Sequence, residues 1–318
     1  MTSAQKRFLL ACVALLPLIF LLGLAAGHGG FALLSALTGD DEAARAIVRE
    51  IRLPRTLMAA AAGASLSAAG LVFQTVLRNP LSDPYILGVS GGSAIGVIAA
   101  ALLGLSAAWQ PALAFAGALL TVLAILAAGA RKGGAELLLA GVMLNSFCGA
   151  VILFLISLLR SQELGAVMLW FLGDLGAATP AEACCQLLLA LSCGAWLLRL
   201  APVLDVLLLG SDGARTLGVD PARSNALLLG IASLLTAACV AWAGPIGFAG
   251  LVVPQMLRLA FGTRHGFLVP ACMLCGAIFL ILCDVLSRTL PLTGEIPIGA
   301  ATALIGAPVF MVLLMKGR

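Results

Sequence analysis

Residues 55–77 read RTLMAAAAGASLSAAGLVFQTVL, twenty-three positions with a charge only at the first. Wound as a helix at 1.5 Å per residue, such a run is ~35 Å long and crosses a ~30 Å hydrocarbon core. Its central segment, AAAAGASLSAAG from Ala59 to Gly70, is built almost wholly of small residues. Small residues let helix backbones approach closely, which is how bundles cohere where lipid removes the usual hydrophobic drive. The stretch therefore reads as a membrane-spanning helix packed among others. GGSAIG from Gly91 to Gly96 repeats the same chemistry further along.

The rest of the chain agrees. Only 10% of the 318 residues are charged and 62% are hydrophobic, far from the roughly 25% charged of soluble domains. Ten apolar runs are expected to span, near 8–27, 55–77, 87–106, 109–130, 137–159, 182–204, 225–244, 246–262, 266–286 and 296–315. The split of 225–262 into two rests on the break at Gly244-Pro245. Lys6 and Arg7 followed by an apolar run and LAAG resemble a secretory signal, but the run is long and nine further spans follow, so an uncleaved first helix is expected. The fold class is thus an all-α, polytopic membrane bundle of ten helices, treated as one domain over 1–318 because no linker divides it.

Ten crossings put both termini on one side. Twelve Lys and Arg fall on that side (Lys6, Arg7, Arg78, Arg131, Lys132, Arg199, Arg215, Arg223, Arg258, Arg264, Lys316 and Arg318) and six on the other (Arg45, Arg49, Arg52, Arg55, Arg160 and Arg288), which predicts cytoplasmic termini. The net charge of +4 follows from that orientation and gives no reason to expect a nucleic-acid partner. All nine cysteines lie in or beside apolar spans; Cys272 and Cys275 match C-x-x-C without a second pair or histidine at zinc spacing, so packing is expected and no metal site. Spans two to five and seven to ten have similar lengths and opposite starting sides, a pattern compatible with an inverted repeat.

Four loops interrupt the apolar pattern. An external segment, Gly27 to Pro54, offers a helix start at Thr38, Gly39 and Asp40. RNPLSDP, Arg78 to Pro84, is a cytoplasmic turn. RSQELGAVMLWFLGDLG, Arg160 to Gly176, is expected to form a short interfacial helix with Trp170 in the aromatic belt. GSDGARTLGVDPARS, Gly210 to Ser224, predicts about two turns of helix with Ser211 or Asp212 as N-cap and Gly218 as the C′ residue. Ala214 and Leu217 would share a small apolar face, and Asp220-Pro221 would start a second short turn. That segment is either an ordinary surface helix or a knob for a partner's groove.

Motifs for chemistry are sparse. No P-loop is present, so the chain is not expected to hydrolyse ATP. Ion-coupled transport needs protonatable groups at membrane depth, and only Asp284 lies inside an expected span; it is four residues before Arg288 and predicts a structural ion pair. Gly88-Val89-Ser90-Gly91 matches the G-x-S-G of intramembrane serine proteases, but His28 and His265 fall at loops or span edges on opposite sides, so no partner for Ser90 and no catalytic residue is expected.

Several stretches together resemble the permease subunits of type II ABC importers for iron-siderophore complexes, haem and cobalamin. They are RLPRTL (Arg52 to Leu57), GLVFQTVLRNPLSDPYILGVSGGSAIG (Gly70 to Gly96), LLLAGVMLN (Leu137 to Asn145), the Gly210 segment, GPIGFAGLVVPQMLRL (Gly244 to Leu259) and GEIPIGAATALIGAPVFMVLL (Gly294 to Leu314). The resemblance implies ten helices per subunit in the bacterial inner membrane, a homodimer, two ATP-binding subunits that carry ATP and Mg, and a periplasmic or lipid-anchored substrate-binding protein. This chain would bind no cofactor and catalyse nothing. Ser211, Asp212, Gly213, Ala214, Arg215, Leu217 and Gly218 would form the helix that couples to the ATPase; relative to the related E-A-A-x-x-x-G loop, Asp212 replaces Glu and Gly213 replaces Ala. Asn79, Pro80 and Leu81, with Gly134 and Ala135, would form the cytoplasmic gate, its turn stiffened by Pro80 and Pro84. Arg52, Arg55 and Arg288 would dock the binding protein's glutamates; the competing reading for Arg52 and Arg55 is an internal pair with Glu50 or Glu42. Gln255 stands where a histidine is common. Base rate favours iron-siderophore as cargo, with cobalamin or haem as alternatives; an ion-coupled secondary transporter or a cation-chelate exporter are the readings from other classes.

Overall fold

A computed structural model describes residues 1–27, 42–129, 134–290 and 294–316, and all regular structure among them is helical. In chain order the helices are α1 (Ser3–Ala25), α2 (Glu42–Ala46), α3 (Leu53–Val76), α4 (Val89–Leu102), α5 (Gln110–Gly129), α6 (Gly134–Ile156), α7 (Ser161–Phe171), α8 (Pro180–Arg199), α9 (Ala201–Leu207), α10 (Gly210–Thr216), α11 (Pro221–Ala243), α12 (Ala249–Phe261), α13 (His265–Thr289) and α14 (Ile298–Lys316). The helix start expected at Thr38 to Asp40 lies outside the described residues, as do His28, Arg131, Lys132 and Arg318; α2 is already helical at Glu42 and runs through a π turn, Ile47–Arg52, into α3.

Each expected span coincides with a helix, but they are not equal. Among the described residues seven helical stretches are long and apolar enough to cross a membrane, while Val89–Leu102, Ala249–Phe261 and Ile298–Leu313 are shorter apolar helices. The third span shrinks from 87–106 because Gly88, at φ 73°, holds a left-handed corner before α4 and Gly104, at φ 64°, holds another after it. The eighth shrinks in the same way, since α11 ends at Gly244 (φ 69°) and Phe248 (φ 67°) precedes α12. Span six divides at Leu200, where Pro202 in the first turn of α9 cannot continue the ladder of α8. The short helix expected within Arg160 to Gly176 is present as α7, with Trp170 edge-on to Phe171 at 5.5 Å.

The small-residue helix α3 is the hub. The membrane-length window containing α3 is 89% buried, against 11% for α6 and 17% for α1, and α3 packs on α13, α11, α8 and α12. Two glycines explain the closeness: a Cβ on Gly63 would overlap the Gly276 carbonyl, and one on Gly70 would overlap that of Gly250. Ser67 and Gln74 then donate hydrogen bonds to the carbonyls of Ala249, Gly250 and Leu251, lashing α3 to the start of α12.

α3 and α13 run antiparallel, because Arg55 at the start of α3 meets Asp284 near the end of α13 while Thr75 at the other end of α3 meets His265. Twenty residues separate Arg55 from Thr75, ~30 Å of helix, close to the thickness of a hydrocarbon core. This helix pair thus carries one polar cluster at each end. α1 begins at the His265 end, where Gln5 donates to the Phe261 carbonyl at 3.2 Å, and finishes at the Arg55 end.

Candidate functional site

At the Thr75 end, α9 leads through Gly210 into α10. Gly210 takes φ 102°, makes the corner, and winding starts there, so Ser211 and Asp212 sit inside the first turn instead of capping it; the N-cap position belongs to Leu209 and has no side-chain bond. Asp212 still lies near the helix N-terminus, where the backbone dipole favours negative charge. The far end matches the sequence reading: Gly218 at φ 80° is the C′ residue, its amide donating to Arg215 O at 3.0 Å while Val219 donates to Ala214 O at 2.9 Å. Those two bonds are the pair that defines a Schellman ending.

Ala214 and Leu217 do not share a face. Ala214 is 0% exposed and packs in the cluster containing Leu204, Leu207, Val76 and Leu77, whereas Leu217 is 59% exposed. The roll of α10 against α9 and α11 decides this, and the exposed surface is made by Ser211, Asp212, Arg215, Thr216, Leu217 and Gly218, with Gly213 half-buried. Asp220 does not start a separate turn; its carboxylate accepts the amides of Ala222 and Arg223 and caps α11 directly, with Pro221 as first helical residue.

The RNPLSDP turn lies beside this helix. α3 also ends in the Schellman pattern, with Arg78 donating to Thr75 O at 3.3 Å and Asn79 to Gln74 O at 3.2 Å. Here the left-handed C′ residue is Arg78, at φ 48°, and its guanidinium donates to the Leu207 carbonyl at 3.2 Å. Asn79 folds its carboxamide oxygen onto the Leu81 amide at 3.0 Å, leaving Pro80 and Leu81 exposed. Asp83 accepts the Tyr85 amide at 2.9 Å, and burial pushes its carboxyl up to about 6. The Tyr85 hydroxyl both accepts from the Ile246 amide and donates to the Ile246 carbonyl, tying the turn to the break before α12. Gly134 and Ala135, the other expected gate positions, open α6.

Behind the turn is a buried cluster that the sequence reading missed. His265, 0% exposed, places Nδ1 2.7 Å from Asp205 Oδ1 and Nε2 2.8 Å from Thr75 Oγ1, and its amide donates to the same Asp205 oxygen. Arg258 donates to Thr75 Oγ1 at 2.6 Å and to Leu71 O at 3.2 Å. Some signal was available: Asp205 is the one acid in the apolar run 200–209, and Gln74-Thr75 is a polar pair closing an apolar span.

At the opposite end the three expected docking arginines converge, but inward. Arg52, Arg55 and Arg288 are only 4%, 7% and 4% exposed around a fully buried Asp284. Asp284 ion-pairs with Arg288 at 2.8 Å, as the four-residue spacing predicted, and with Arg55 at 2.8 Å. Arg55 reaches Glu295 at 2.6 Å, rather than Glu42 or Glu50. Arg52 donates to the Leu24 and Ala25 carbonyls and Arg288 to those of Gly23 and Ala26, supplying cations to the unsatisfied C-terminal turn of α1. Glu295 is the exposed member, at 45%, and with Arg55, Asp174 and Pro297 it lines an open cavity of about 240 Å³.

Elsewhere, Cys272 is buried in α13 and Cys275 packs its sulfur 3.8 Å from that of Cys12. Gln255 is half-buried on α12 and Ser90 lies in the first turn of α4.

Comparison with known proteins covers the same length. The model of the FecCD transport family matches residues 13–316. The cobalamin import system permease protein BtuC of Halobacterium salinarum is 42% identical over 281 residues, 87% of this chain and 75% of the relative. The vitamin B12 import system permease protein BtuC of Salmonella paratyphi A is 40% identical over 98% of this chain and 95% of its own. A solved structure presented as an inward-facing conformation of a metal-chelate type ABC transporter superposes with a TM-score of 0.90 at 31% identity, covering 98% of this chain and 99% of the other. The resemblance read from RLPRTL, the Asn79 turn and the Gly210 segment is borne out end to end: the chain belongs to the FecCD transport family.

Proposed function

We propose that this chain is the membrane-spanning subunit of a binding-protein-dependent ABC importer for a metal chelate, and that the chelate is cobalamin. The observation that carries the motor half is α10, a short helix with an exposed polar and Leu217-tipped surface, held against the bundle by Ala214. The cargo rests on the relatives named above, which favour cobalamin over the iron-siderophore that base rate suggested. In this reading the three short apolar helices complete the seven long ones to ten crossings, and the excess of Lys and Arg supports a cytoplasmic side for the α10 end and both termini. A homodimer in the bacterial inner membrane, with ATP and Mg on two separate subunits, completes the assembly.

At the outer end the binding protein's carboxylates would meet Arg55 by displacing Glu295, with Arg52 and Arg288 supplying positive potential from beneath. Glu295→Gln is then expected to tighten binding-protein docking at low salt; weaker docking would remove the Arg55 assignment.

The test of the whole reading is co-purification of the tagged chain with its soluble partners, together with uptake of labelled cobalamin. An ATPase should follow the wild type and be lost from Arg215→Glu/Leu217→Asp, a variant confined to exposed positions. Uptake that survives ATP depletion but stops with a protonophore would identify a secondary transporter instead, and outward movement of the chelate an exporter.

A further inference from the structure

The inner end holds a connection whose parts come from separate elements. Asp205 lies on α9, five residues before α10 begins; His265 opens α13; Thr75 lies in the last turn of α3, three residues before Arg78. His265 uses one ring nitrogen for each neighbour, 2.7 Å to Asp205 and 2.8 Å to Thr75. A second link runs parallel, from the Arg78 guanidinium to the Leu207 carbonyl. Between the two, Leu204 and Leu207 pack on Val76 and Leu77 in one apolar cluster.

The backbone at Arg78 argues that the second link is selected rather than incidental. The C′ position of a Schellman ending is left-handed, a conformation glycine takes without penalty and other residues resist. α10 meets the requirement with Gly218, while α3 meets it with Arg78 at φ 48°. A strained residue kept where glycine would serve points to its side chain, and the bond that side chain makes is the one to Leu207.

We propose that Thr75, His265, Asp205 and Arg78 form a strut that carries displacement of α10 through α9 to the end of α3, and so to the exposed Asn79-Pro80-Leu81 turn. The inference rests on the reading of α10 as the helix that meets the ATPase. Two hydrogen-bonded links with an apolar contact between them resist both sliding and rotation of α9 against α3, so a push on α10 moves the turn instead of being absorbed in the loop. These are positioning residues: none need touch cargo or nucleotide.

The experiment uses the whole complex, the chain with its co-purified ATP-binding subunits and binding protein, reconstituted in liposomes. Labelled cobalamin carried per ATP hydrolysed is measured for wild type, Thr75→Val, Asp205→Asn, Thr75→Ser and Arg78→Ala. Thr75→Val and Asp205→Asn are expected to retain the ATPase and hydrolyse ATP near the wild-type rate while cobalamin moved per ATP falls about tenfold, within the usual range of coupling between sites. Thr75→Ser, which restores the hydroxyl, should return the ratio; a purely structural defect would lower assembly and hydrolysis along with transport. Should Thr75→Val or Asp205→Asn fail to accumulate, Arg78→Ala, altered at an exposed side chain, is expected to show the same loss of ratio. An unchanged ratio in the assembled variants overturns the strut while leaving the coupling helix intact. A wild-type chain that brings no ATPase overturns the coupling reading, and the strut with it.

Discussion

The two ends of α3 solve the same problem with different chemistry. At Arg55 the helix terminus sits in a knot of full charges, two arginines on one buried aspartate with a third arginine on the carbonyls of α1. At Thr75 it sits in a relay of single hydrogen bonds through a histidine, with one carboxylate that is 37% exposed. A buried charge knot is costly to open, because each ion left alone keeps its desolvation penalty. A relay of hydrogen bonds can shift with little loss so long as each partner follows the other. The Arg55 end therefore reads as an anchor and the Thr75 end as a joint.

The contrast can be broken most forcefully at Asp284. Asp284→Ala leaves Arg55 and Arg288 without their shared carboxylate and should cost about 3–5 kcal/mol, seen as a large fall in thermal stability in detergent or loss of the chain from membranes. His265→Ala removes the centre of the joint and is expected to cost about 1–3 kcal/mol, the penalty of leaving buried polar partners unsatisfied; a fall as large as that of Asp284→Ala would erase the distinction. Arg78→Gly sharpens it with the opposite sign: the left-handed backbone relaxes and stability rises by about 1 kcal/mol, while transport per ATP declines.

The smallest effect concerns pH. The folded Asp83 carboxyl titrates at about 6, above its ordinary value of 3.8, so between those values the folded state holds the proton more tightly than the unfolded chain. Stability should fall as pH rises from about 4 to 6 and level off above, by less than about 1 kcal/mol after solvent screening. Asp83→Asn should flatten that slope in melting curves taken across the window.

What the sequence reveals here depends on distance along the chain. Apolar run length is local, so the apolar helices were legible, and the Asp284–Arg288 pair followed from a four-residue spacing. Gly218 was legible for a similar reason, since a left-handed C′ residue declares itself by type. The burial of Ala214 was not legible because it depends on how α10 rolls against α9 and α11. His265 gave no sign of its role: its partners lie 60 and 190 residues away, and a single histidine at a span edge carries no spacing to read. Arg52, Arg55 and Arg288 do lie together at one end, but the partner of Arg55 was not legible, because Glu295 is 240 residues away.

The hub position of α3 also imposes a schedule on biosynthesis. Its small-residue faces are shaped for α8, α11, α12 and α13, and α13 ends at Thr289, more than two hundred residues after α3 is complete at Val76. At ~5–20 residues per second the ribosome needs ~10–40 s to deliver that last neighbour. Through that interval α3 stands in the membrane with its glycine grooves unfilled and Gln74 and Thr75 unpartnered by the later helices, a condition the insertion machinery must shelter until the bundle closes around it.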